Sequence, residues 1–129
     1  MLRLAPLAAL LVLLAAACGP PGPQVYSSSK TQACLTKQGY KVTPPPASDF
    51  VASTALGGSF RVKLAQNAVT VAFGDTVKNA AALDGVYRSV HAKNVGIDDV
   101  LRDQGNAVML WHAHPSDHDL GVVQGCLKT

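Results

Sequence analysis

Two alternating runs in the middle of the chain set the tightest limit on its fold. Phe60, Val62 and Leu64 alternate with Arg61 and Lys63, and Val69, Val71 and Phe73 alternate with Ala68, Thr70 and Ala72. Strand side chains point to opposite faces in turn, so each run is a strand with one apolar face. With Gln66-Asn67 as a two-residue turn, Leu64 faces Val69, Val62 faces Val71 and Phe60 faces Phe73. Every apolar side chain then meets an apolar partner, which is how register is specified. Asn tolerates the positive φ that tight hairpin turns require. Arg61 and Lys63 fall on the other side, toward water.

The remaining elements assemble around this hairpin. Ser29 to Gln38 reads as a short helix capped by Ser28 or Ser29, and Gly39 stands where a helix ends with positive φ. Tyr40-Lys41-Val42 alternates as a short strand. Thr43 to Ser48 is a loop, because its three consecutive prolines donate no backbone hydrogen bonds. Asp49 to Ala55 has an ambiguous pattern. Gly74-Asp75 closes the hairpin and opens the main helix, with Asp75 as its cap. Val77, Ala80, Leu83, Tyr87 and Val90 make its apolar stripe, and Asp84 and Arg88 pair one turn apart on its flank. His91, near the helix end, complements the dipole there.

Ile97 to Arg102 fits a helical turn or a strand, and Asp103 to Asn106 has turn composition. Ala107 to Trp111 is apolar on both faces, as in an interior strand. Pro115 stops it. Ser116 then caps a last helix, with Asp119 in the place of the usual capping-box Glu and Leu120, Val123 and Leu127 as its stripe. The order α-β-β-β-α-β-β-α implies an α+β fold: a two-layer α/β sandwich, mainly antiparallel, with helices on one face of the sheet.

Chemistry-bearing residues concentrate in one stretch. Trp111 to Asp119 holds three of the four His and two of the eight Asp. His112 and His114, two residues apart on a strand, share a face, and His118 or Asp117 follows after a turn to complete a ligand set. Imidazole and carboxylate suit Zn, and imidazole alone also suits Cu. Against this, Ser116, Asp117 and Asp119 are accounted for as helix-start residues, and exposed His needs no special role. Trp111 shares a strand face with Met109, which places it in the core. Catalytic signatures are missing: there is no Gly-x-Ser-x-Gly, P-loop or Gly-x-Gly-x-x-Gly. Ser116, His114 and Asp117 make a triad only on paper, because triads are defined by geometry.

The N-terminus speaks to location. Arg3 is the only early charge, Leu4 to Ala17 is apolar apart from Pro6, and Ala15-Ala16-Ala17 precedes Cys18. A basic start, an apolar run and small residues are the marks of a secretory signal, and the run is shorter than the roughly 20 residues that a membrane span needs. Small residues before a Cys resemble the lipobox of bacterial lipoproteins, with Ala15 where that family usually has Leu. The resemblance covers the export signal alone. It implies cleavage before Cys18, acylation of Cys18 by a chain such as palmitate, and an extracytoplasmic protein anchored to a bacterial membrane by lipid. Residues 1–17 are then the signal peptide, residues 18–28, rich in Pro, Gly and Ser, the tether, and residues 29–129 one α/β domain.

Export also bears on the remaining cysteines. In an oxidising compartment Cys34 and Cys126 are expected to pair, a bridge worth about 4 kcal/mol in the chain-entropy view. Beyond the signal, ten basic residues stand against eight acids, all Asp. This balance is too even, and too scattered, for a nucleic-acid footprint. The sequence thus points to a non-catalytic binding or structural module of the cell envelope, without cofactor and with an envelope protein as its partner. The alternative is a Zn- or Cu-binding lipoprotein acting through His112, His114, His118 and Asp117.

Overall fold

A computed structural model of the chain describes residues 24–91 and 96–129. The expected signal peptide, Cys18 and the first part of the expected tether lie outside the described residues. The elements are α1 (Ser28–Lys37), β1 (Lys41–Thr43), α2 (Phe50–Ser53), β2 (Ser59–Lys63), β3 (Ala68–Phe73), α3 (Val77–Val90), α4 (Ile97–Val100), β4 (Leu101–Gln104), β5 (Ala107–Trp111) and α5 (Asp117–Cys126). The fold is α+β, with one antiparallel sheet of five strands in the order β1-β2-β3-β5-β4. Two one-turn helices, α2 and α4, add to the expected order. They occupy the segments whose sequence fitted two conformations. None of the described helices is long and apolar enough to cross a membrane.

The helices lie on both faces of the sheet, not on one. Phe60, Val62, Val69, Val71, Phe73, Met109 and Trp111 pack with Leu35 of α1 and with Val123 and Cys126 of α5. Ala72, Val108 and Leu101 pack on the opposite face, with Val51 and Ala52 of α2 and Ala80 and Tyr87 of α3. The cause is visible in β5, whose two apolar faces each need cover. α1 and α5 are joined by the Cys34–Cys126 disulfide, with Cα atoms 5.4 Å apart and a sequence separation of 92.

The hairpin keeps its faces but shifts its register by two residues. Phe60 pairs with Val71 and Val62 with Val69, so Leu64 passes beyond the ladder. The turn is Ala65-Gln66, closed by Leu64 N donating to Asn67 O at 2.8 Å. Asn67 is not available as a turn residue. Its Oδ1 accepts from Ala68 N and Ala113 N at 2.8 and 3.1 Å, and its Nδ2 donates to Ala113 O at 3.0 Å. It holds the hairpin end to the chain leaving β5. No described residue other than glycine has positive φ.

Helix ends follow their sequence signals within a residue. Ser27 caps α1, Thr76 rather than Asp75 caps α3, and Ser116 caps α5 by accepting from Asp119 N at 3.1 Å. Asp75 instead accepts from the Asn79 side chain. Gly39 ends α1 with φ +90°.

The folded unit begins earlier than the expected boundary at Ser29. Gln24 O accepts from Asn106 N at 3.2 Å, and Ser27 N donates to Lys128 O at 2.6 Å. The Asn106 side chain, 1% exposed, accepts from Tyr26 N and donates to Tyr26 O and Gly74 O at 2.5, 3.1 and 2.8 Å. Gly105 beside it has φ +56°, and a Cβ there would stand 2.4 Å from Gln24 O. Residues 24–28 are therefore part of the domain.

Two stability measurements check this account. Replacing both Cys34 and Cys126 by Ser should cost about 2–5 kcal/mol and lower the thermal midpoint by at least about 10 °C; an unchanged midpoint would mean that the bridge contributes nothing. Asn106→Ala should cost about 3 kcal/mol in urea unfolding at constant m, because it strands three polar backbone atoms. A loss below about 1 kcal/mol would mean that the N-terminal segment is not held there.

Candidate functional site

The His-rich stretch does not assemble a metal site. β5 ends at Trp111, so the two-residue period that would align His112 with His114 stops before either. His112 N donates to Ala68 O at 2.8 Å and keeps the residue beside the sheet. His114 turns away, its Nδ1 2.6 Å from Asp99 Oδ1. Pro115 is buried, and His118 and Asp117 are exposed in the first turn of α5. Among the described residues, no group of three or more His, Cys, Asp or Glu is placed to hold a metal ion. Ser116 is engaged as the cap of α5, apart from any triad. Trp111 is core, 2% exposed, and its Nε1 is buried without an acceptor among the described residues.

The concave site lies instead on the face under α2 and α3. It is a cleft of about 510 Å³. Its floor is the sheet itself: Arg61 on β2, Thr70 on β3, Leu110 on β5 and His112 just past it. Thr70 pairs with both Arg61 and Leu110, which fixes these side chains as neighbours on one face. The roof is Phe50 of α2, Tyr87 and Val90 of α3, and Ile97 of α4. A second hollow of about 450 Å³ adjoins it, lined by Lys63, Gln66 and Asn67, and Arg61 and His112 border both.

The charges in the cleft are unevenly satisfied. Asp49 caps α2 by accepting from Ala52 N at 2.9 Å, and Tyr87 donates its hydroxyl to the same carboxylate at 3.0 and 3.2 Å. Burial, then the Asp49 charge and hydrogen bond, push the Tyr87 ionisation upward, so the phenol stays a donor. Tyr87 also stacks on His91, the C-cap of α3, with ring centroids 6.5 Å apart. Arg61 is different: at intermediate exposure, its side chain makes no hydrogen bond or ion pair with any described residue. The chain matches no protein-family model, no curated protein and no solved structure. Its geometry therefore carries the functional reading.

Sequence reasoning missed Arg61 because a sheet covered on one face turns Arg61 to water. The signal was present in β5, apolar on both faces, which requires cover on the Arg61 side as well.

Elsewhere, Arg88 bridges Asp84 of α3, at 2.7 Å, to Asp98 of α4. Asp103 on β4 sits against this pair. Burial, then hydrogen bonding to Asp84 and its charge, raise the Asp103 carboxyl from the usual 3.8 to about 6, with Arg88 opposing. The folded state therefore binds this proton more tightly than the unfolded chain. The contribution of Asp103 is greatest below pH 3.8, is lost as pH rises through about 6, and is flat above. Asp103→Asn should thus gain a few degrees in thermal midpoint relative to the native protein at pH 7.5, with the gain shrinking toward pH 4. A constant difference across that range would show that Asp103 titrates normally.

Proposed function

We propose that the protein is an extracytoplasmic lipoprotein, held to a bacterial membrane by lipid on Cys18, and that it works as a non-catalytic binding module through the cleft beneath α2 and α3. One observation carries the binding reading: Arg61, a residue of intermediate exposure, lines a concave site, and its side chain has no hydrogen-bond or ion-pair partner among the described residues. Concave sites set a few polar groups among apolar ones to orient a ligand, and an arginine without a partner in a cleft is such a group. The anchor rests on the small residues before Cys18.

The two parts of the reading fit each other. The described residues begin at Gln24, which is bonded to Asn106. His112 lies six residues further along, about 20 Å at the rise of a strand. A lipid on Cys18 would tether the domain by the Asn106 end and leave the cleft at the other.

Two measurements test this. Metabolic labelling with an alkynyl fatty acid should mark the native protein and not Cys18→Ser, and the variant should leave the membrane fraction; labelling of both would overturn the anchor. A small-fragment screen by amide chemical shifts should converge on Thr70, Leu110 and His112. Shifts scattered over the surface would overturn the binding reading.

A further inference from the structure

We propose that the cleft takes a small amphipathic organic anion, its oxyanion head on the corner formed by Arg61, Lys63 and His112 and its apolar body against Phe50, Val90, Ile97 and Leu110. This deepens the binding reading above and rests on it. Arg61 and Lys63 are alternate residues of β2, so both rise from the same face, about 7 Å apart along the strand. His112 reaches that face from the end of β5, and all three border the second hollow. None of the three side chains is engaged in an ion pair or hydrogen bond with a described residue. The acid of the cleft, Asp49, is occupied by Tyr87 and the start of α2. The corner thus gathers two cationic side chains and an imidazole, with no acidic partner among the described residues.

The other end of the cleft is apolar and open. Phe50 is 54% exposed and Val90 52%, although large apolar side chains gain by burial. Ile97 and Leu110 continue this wall at intermediate exposure. A ligand that is anionic at one end and apolar at the other satisfies both halves at once. A cavity of about 510 Å³ is in the range of small-molecule sites, which sets the size class. The flat guanidinium fork of Arg61 suits the paired oxygens of a carboxylate or a phosphate ester. Inorganic phosphate lacks the apolar half, and an alcohol of the same skeleton lacks the charge.

Calorimetric titration of the full-length chain separates these terms. The probes are 4-phenylbutyrate, phenyl phosphate, 4-phenylbutanol and inorganic phosphate. At least one of the two amphipathic anions should bind tenfold or more tightly than both the alcohol and inorganic phosphate, and the stronger identifies the head group. Arg61→Gln should weaken that anion by about tenfold or more, the size of a lost charge-assisted hydrogen bond. Arg61→Lys should lose less. His112→Ala, at an exposed position that does not endanger folding, should weaken it by about threefold, whereas Lys37→Ala on α1 should change nothing. If anion and alcohol bind alike, or if neither Arg61→Gln nor His112→Ala affects the anion, the anion assignment falls while the cleft remains a binding site. If no anion binds, the assignment also falls; the binding reading falls with it only if the fragment screen fails as well.

Discussion

Val69, Val71 and Phe73 fill one face of β3, Thr70 and Ala72 are buried on the other, and β5 repeats the pattern with Met109 and Trp111 against Val108 and Leu110. Strands apolar on both sides have to be covered twice. From that requirement follow the central position of β3 and β5 in the sheet, the shorter strands at its edges, and the sorting of helices into two layers. α1 and α5 take the face on which the larger side chains stand. α2, α3 and α4 take the face of smaller ones.

The two layers are secured by different means. On the first face the Cys34–Cys126 bridge joins α1 to α5, and Ser27 and Lys30 bond to the last residues of the chain. Both ends of the described domain are thereby locked into one layer. Asn106 extends the lock across the sheet end, since its single amide reaches Tyr26 on one side and Gly74 on the other. A buried amide with every polar group answered is both stabilising and selective for one arrangement. The second face has no such closure. It is held by the Asp49–Tyr87 contact, by Arg88 and its two carboxylates, and by apolar packing.

Local patterns were legible in the sequence where period and punctuation agreed. The alternation of β2 and β3, the stripe of α3 through Tyr87, the Ser116 cap and the pairing of the two cysteines are all readable from residue order alone. Apart from the disulfide, which cysteine count and the export signal point to, what was missed depended on side-chain hydrogen bonds to partners distant in sequence. The hairpin register slipped by two because Asn67 serves the segment after β5, 46 residues away, instead of its own turn. Residues 24–28 join the domain because Asn106, 80 residues away from Tyr26, organises that segment. Val90 lies on the expected stripe yet is exposed, because the helix there overhangs the cleft rather than the core. A shift by two keeps every side chain on its face, so the core was read correctly even where the pairing was not.

The same asymmetry accounts for where a site can be. α3 runs for 14 residues, but α2 and α4 have four each, about 6 Å of helix apiece. Two single turns cannot roof a sheet five strands wide, so the covering layer leaves a gap above Arg61, Thr70 and Leu110. Filling that gap with larger apolar residues would stabilise the domain by ordinary burial. Instead the floor carries an arginine and the rim carries an exposed Phe and Val. One sheet thus carries two unlike faces: α1 and α5, joined by the disulfide, close the first, and the thin cover opposite them leaves a cleft above Arg61.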